Sequence, residues 1–169
     1  GVGLDHFADT SAGTVLVGHS AAPSGTANLN TSLGRKALSS LTEGDNNTAI
    51  GHIAGGQISE GSSNVAIGAR TLESLTTGNY TIGDYAMQDD DTGSNNIAIG
   101  YEAAMDMNGA SGLTLVGYQA GKALSTGSSN TFIGNQAGKA MLTGSNNTAV
   151  GSGALGTEDA GVDNVAIGT

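Results

Sequence analysis

Cysteine and tryptophan are absent from this 169-residue sequence, proline occurs once, and aromatic residues make up only 4% of it. Without cysteine there are neither disulfides nor thiolate metal sites, so stability rests on burial and hydrogen bonding. Basic residues are also scarce. Five Lys and Arg stand against 15 Asp and Glu, and the resulting net charge of −10 repels phosphate backbones and anionic lipid. Nucleic-acid and membrane partners are therefore not expected. No run of about eighteen apolar residues is present to span a bilayer, and no charged start followed by an apolar centre marks a signal peptide, so the chain reads as soluble. It begins without methionine and stops inside a repeat at Thr169, which reads as a piece truncated at both ends.

Glycine, at 29 positions, is abundant. High glycine with high net charge is compatible with disorder, but regularly recurring aliphatic positions are not. Asn130-Thr131-Phe132-Ile133-Gly134 returns seventeen residues later as Asn147-Thr148-Ala149-Val150-Gly151. The motif closes at Gly18, Gly34, Gly51, Gly68, Gly83, Gly100, Gly117, Gly134, Gly151 and Gly168, at spacings of 16, 17, 17, 15, 17, 17, 17, 17 and 17. Ten copies occupy residues 14–169 as a single domain after a lead-in of residues 1–13, with no linker between copies.

The residue before each glycine is Val17, Leu33, Ile50, Ile67, Ile82, Ile99, Val116, Ile133, Val150 or Ile167, and this column is expected to be the repeat core. Three residues after the glycine come Ala21, Ala37, Ala54, Thr71, Ala86, Ala103, Ala120, Ala137 and Ala154, a place for small side chains. Seven residues after it a weaker apolar column holds Leu41, Ile58, Leu75, Met107, Leu124 and Met141, with Asp90 and Glu158 as exceptions. Four residues before it stands asparagine in eight of the ten copies: Asn30, Asn47, Asn64, Asn79, Asn96, Asn130, Asn147 and Asn164. Stacked asparagines hydrogen-bond from coil to coil when the coils lie about 4.7–4.8 Å apart. Turn clusters such as Glu60-Gly61-Ser62-Ser63 separate the apolar stretches.

Each apolar stretch spans four or five residues between asparagine and glycine, too short for a helix and bounded by residues that disfavour one. The fold class that follows is all-β, a parallel β-solenoid of about ten 17-residue coils forming a rod of roughly 48 Å. Side chains alternate along a strand, so Leu16, Ala49, Ala66, Ala98, Leu115, Phe132, Ala149 and Ala166 point away from the column before the glycine, with only Ser32 and Thr81 polar among them. A narrow coil has one inside. The second apolar side is therefore expected to pack on another chain.

The copies Asn64-Val65-Ala66-Ile67-Gly68 and Asn164-Val165-Ala166-Ile167-Gly168 resemble the head repeats of trimeric autotransporter adhesins, Asn-Ser-Val-Ala-Ile-Gly. The chain is still more similar to the related repeats of bacteriophage tail fibres, through Asn46 to Gly51 and Tyr118 to Ala123. The seventeen-residue period and the frequent threonine in place of valine favour the phage branch. The resemblance implies a left-handed β-roll, assembled as a parallel homotrimer around a threefold axis. It implies a stiff rod that carries an attachment surface for a host glycan or protein, located in a virion tail fibre. The alternative is the head domain of a bacterial adhesin at the cell surface. A β-solenoid polysaccharide depolymerase is a remote third reading, since such enzymes need a cleft lined by paired carboxylates.

No convergent catalytic constellation occurs, so the chain is expected not to be an enzyme, and neither a cofactor nor a metal is expected. His6 lies in the lead-in, and His19 and His52 follow the glycine in copies one and three with Arg35 between them, a spacing unlike that of paired metal ligands. Asp89-Asp90-Asp91 lacks an alternating set of oxygen ligands for calcium and reads as a solvated loop, as does Glu43-Gly44-Asp45-Asn46. Gly117 to Lys122 lacks phosphate-loop spacing and recurs from Gly134, so it is repeat grammar. Tyr85, Tyr101 and Tyr118 fall one or two residues after consecutive glycines. They are candidate receptor-facing aromatics, set against packing between coils or chains. The sequons at Asn30, Asn46, Asn79 and Asn146 read as accidents of composition, and the threonine column at 48, 114, 131 and 148 is too interrupted for an ice-binding face.

Overall fold

The computed structural model describes residues 6–9, 13–18, 26–73, 77–89 and 92–169. Eleven strands form one sheet in chain order: β1 His6–Asp9, β2 Thr14–Val17, β3 Thr31–Leu33, β4 Thr48–Ile50, β5 Val65–Ile67, β6 Tyr80–Ile82, β7 Ile97–Ile99, β8 Thr114–Val116, β9 Thr131–Ile133, β10 Thr148–Val150 and β11 Val165–Ile167. From β2 onward every neighbouring pair is parallel, and equivalent repeat positions face each other, as Ala149 faces Phe132 and Ala166. Strand β1, in the lead-in, pairs antiparallel with β2 and so extends the sheet. The chain is an all-β parallel β-solenoid of about eight turns of about 17 residues, from β3 to β11. The nine strands from β3 to β11 bound eight such turns, fewer than the ten coils expected from the sequence.

From β3 onward each strand is only three residues long, and its central side chain is the one that points into the coil. Ser32, Ala49, Ala66, Thr81, Ala98, Leu115, Phe132 and Ala149 are buried. The column expected to be the core lies outside. Val17, Leu33, Ile50, Ile82, Ile99, Ile133 and Ile167 are exposed, and Ile67, Val116 and Val150 are half-buried. The physical reason is room. A three-residue strand between tight turns puts one side chain in the lumen and two outside, and the lumen is too narrow for a branched pair from every coil.

The rest of the interior follows the other columns. Ala37, Ala54, Thr71, Ala86, Ala103, Ala120, Ala137 and Ala154 are buried, as are Leu41, Ile58, Met107, Leu124 and Met141, while Glu158 is exposed. Ala21, Leu75 and Asp90 lie outside the described residues. A column four residues after the glycine also points inward and varies in size: Leu38, Gly55, Leu72, Met87, Ala104, Gly121 and Gly138 are buried, and Leu155 packs at the margin.

Two devices hold the coils in register. The closing glycines have φ from 120° to 144°, and a Cβ on Gly34 would strike the carbonyl oxygen of Gly51, the equivalent residue one coil on. Backbone is stacked on backbone there with no room for a side chain. The asparagine column forms a buried ladder, in which the amide N–H of Asn47 donates to Asn30 Oδ1 (2.8 Å), that of Asn64 to Asn47 Oδ1 (3.0 Å) and that of Asn79 to Asn64 Oδ1 (3.0 Å). Several Nδ2 groups reach the next coil, that of Asn47 donating to Gly61 O at 2.8 Å and that of Asn79 to Gly93 O at 2.9 Å, while that of Asn64 donates back to Asn47 Oδ1 at 3.0 Å. Leu113 interrupts the column, accepting no side-chain bond although its own N–H donates to Asn96 Oδ1 (3.0 Å). A second ladder runs the opposite way on the adjoining turn, where the N–H of Ser94 donates to Ser111 Oγ, that of Ser111 to Ser128 Oγ and that of Ser128 to Ser145 Oγ, each at 3.1 Å.

Candidate functional site

The outer side of the sheet is the first surface of interest. Along it run two parallel columns: Leu33, Ile50, Ile67, Ile82, Ile99, Val116, Ile133 and Val150 beside Thr31, Thr48, Val65, Tyr80, Ile97, Thr114, Thr131 and Thr148. Between a third and a half of Leu33, Ile50, Ile82, Ile97, Ile99 and Ile133 remains exposed. Contiguous apolar surface of this length on a hydrogen-bonded sheet is unusual for a protein standing alone. Sequence reasoning found both apolar sides of the strand, and the structure places the bulkier one outward.

A second surface lies where the chain leaves the sheet after the closing glycine. Here the structure brings together Tyr85, Tyr101 and Tyr118 from three successive coils. The Tyr101 and Tyr118 rings lie within 9° of parallel with centroids 5.7 Å apart, and Tyr85 meets Tyr101 edge-on at 5.9 Å. Beside them Glu102 accepts hydrogen bonds from Lys122 Nζ (2.6 Å) and Gln119 Nε2 (2.8 Å), and Gln136 Nε2 donates to Gln119 Oε1 (3.0 Å). Hydrogen bonds from Lys122 and Gln119 hold the Glu102 carboxyl below its ordinary range. The same contact raises the Lys122 ammonium, and a hydrogen bond to Glu102 raises the Tyr101 phenol. The sequence signalled the tyrosines; the Glu102 cluster, drawn from three coils between Glu102 and Gln136, carried no comparable signal.

The remaining candidates stay apart. Arg35 and His52 meet across adjoining coils at 2.5 Å, and His19 lies outside the described residues, as does the side chain of His6. Asp89 is exposed, and Asp90 and Asp91 are outside the described set. Among the described residues no group of three or more His, Asp or Glu is placed to hold a metal ion. Asn30 and Asn79 are buried in the ladder and cannot accept a glycan, whereas Asn46 and Asn146 are exposed. Burial raises the carboxyls of Glu73 and Asp106. A hollow beside Leu155, Ala166 and Ile167 lies in the last of these coils.

Comparison with protein-family models, with curated proteins and with solved structures finds no match.

Proposed function

We propose that the chain is a structural and receptor-binding segment of a trimeric bacteriophage tail fibre, in which three copies of a left-handed β-roll lie parallel and give a stiff rod with an attachment surface. The observation that supports this reading most is the outward apolar strip on β3–β10, which runs unbroken along the rod. A strip of constant composition fits a neighbour of the same pitch, and a second copy of this chain has that pitch. Three copies related by a closed rotation cover one another's strips, whereas an open arrangement would make filaments. The asparagine and glycine stacks make each rod a poor hinge, as a fibre segment requires. The role is mechanical and adhesive, with no reaction assigned to it. The resemblance of Val65–Gly68 and Val165–Gly168 to adhesin head repeats keeps a bacterial surface adhesin as the second reading, with the same assembly and a different parent protein.

Light scattering tests the assembly. The expected mass is three times 16.5 kDa, and Ile82→Lys with Ile99→Lys is expected to break it down. A stable, folded species of 16.5 kDa from the unaltered chain would overturn the reading.

A further inference from the structure

All four tyrosines of the chain fall between residues 80 and 118. The repeat itself does not demand them, because the position after the closing glycine holds Arg35, His52, Ala69, Asp84, Asn135 or Ser152 in other coils. Their geometry is that of a surface left open. Rings packed face to face lie about 3.5–4 Å apart, so parallel rings with centroids at 5.7 Å are slid past one another and each keeps part of its face free. Tyr101 is 44% exposed and Tyr118 is 45% exposed.

Next to this stepped pavement the polar groups are already held in place, with Glu102 fixed by Lys122 and Gln119, and Gln136 fixed on Gln119. Flat apolar faces flanked by preset amide and carboxylate groups match one ligand chemistry closely. The C–H face of a sugar ring stacks on an aromatic face while its hydroxyls bond to amides and carboxylates. The net charge of −10, with Asp84 and Asp106 on the adjoining turns, selects against acidic sugars.

Resting on the attachment reading above, we infer that Tyr85, Tyr101 and Tyr118, with Glu102, Gln119 and Gln136, form a binding strip for a neutral oligosaccharide lying along the rod. The preset polar row limits the ordering cost of binding.

The test is an array of neutral hexose and N-acetylhexosamine oligosaccharides beside sialylated and uronic-acid ones, probed with the full chain. Binding to a neutral member is expected. Because the chain has no tryptophan, tyrosine emission reports the titration of that member directly. Tyr101→Ala and Tyr118→Ala are expected to weaken it by about tenfold or more, and Tyr101→Phe, which keeps the ring, to stay within about threefold. Absence of binding to every neutral member, binding confined to acidic ones, or unchanged binding by Tyr118→Ala would overturn the inference. Light scattering on the same samples separates the two readings, since an intact oligomer that binds no sugar removes the strip and leaves the rod.

Discussion

The ring of Phe132 occupies the space that a side chain on Gly138 would fill. The pair belongs to one coil, and the same exchange recurs along the lumen. Leu115 stands over Gly121, and in four other coils a small residue at the strand centre is answered by a large one four after the glycine, as Ser32 with Leu38, Ala66 with Leu72, Thr81 with Met87 and Ala149 with Leu155, whereas Ala49 with Gly55 and Ala98 with Ala104 are small at both places. A lumen of fixed bore keeps close packing by trading volume across its width. Phe132 lies in register with Ala149 without misfit because Gly138, in its own coil, leaves room for the ring.

Phe132→Ala is therefore expected to cost about 3–5 kcal/mol. Gly138→Leu alone overpacks the lumen and costs about 1–3 kcal/mol. Combined, they recreate the pairing of Ala66 with Leu72, and Leu38, Leu72, Met87 and Leu155 already adopt φ of 48–51° at this position. The double variant should be more stable than Phe132→Ala in denaturant titration; summed losses would refute the exchange.

Asn47 is a second point of leverage. Its Oδ1 accepts from both the N–H and the Nδ2 of Asn64, and its own Nδ2 donates to Gly61. Asn47→Ala removes all three of these bonds, and a buried polar group left unsatisfied costs about 1–3 kcal/mol. Urea unfolding should show a loss well above that of an exposed change such as Thr126→Ala, and equal effects would discount the ladder.

Ser32 gives the opposite sign. Its Oγ is buried without a hydrogen-bond partner, whereas Thr81, at the equivalent position, donates its Oγ1 to Val65 O at 2.9 Å. Ser32→Ala removes an unpaired polar group and should raise stability by about 1 kcal/mol, while Thr81→Ala should lower it by a similar amount. Thermal melts of the two variants moving in the same direction would contradict this account.

The pH response rests on Glu102. Its folded-state pKa is lowered, mainly by Lys122 and then Gln119, from an ordinary value of 4.5, so its contribution is present above pH 4.5 and lost as the pH falls through the lower folded value. Glu73 and Asp106, raised by burial, act the other way: their cost exists when they are ionised and is relieved as the pH falls through their raised values. Glu102→Gln should melt below the unaltered chain at pH 7, with the gap closing in acid below 4.5. A gap that stays constant down to pH 3 would assign its cause to packing instead.

Much of this fold can be read from the residues. The period, the strands at Thr-Ala-Ile and Val-Ala-Ile, the asparagine ladder, the glycine stack and the small column at Ala37 and Ala137 all follow from local chemistry. Which side of the strand is inside does not. Alternation groups Val65 with Ile67 and separates them from Ala66, but says nothing of which group faces the lumen. The rule that larger aliphatics go inside then points the wrong way. A partial signal sat in the column of Leu38, Leu72, Met87 and Gly138, whose sizes run opposite to those at the strand centre of the same coils, although Gly55 and Ala104 do not follow it. The tyrosines could be flagged by spacing, yet their ring offsets and the Glu102 contacts depend on how three coils superpose.

The two ladders, asparagine handing bonds one way and serine the other, make length a countable property of this chain. Register survives even where a coil is short, as between Gly68 and Gly83, because the two missing residues fall between Leu72 and Asn79 and the pairing of Val65 with Tyr80 is kept. Since equivalent positions stack in register, recombination between equivalent positions of two repeats would shorten or lengthen the rod in steps of about 4.8 Å. A solenoid built this way can change its length by unequal crossing-over while the surviving coils keep their register.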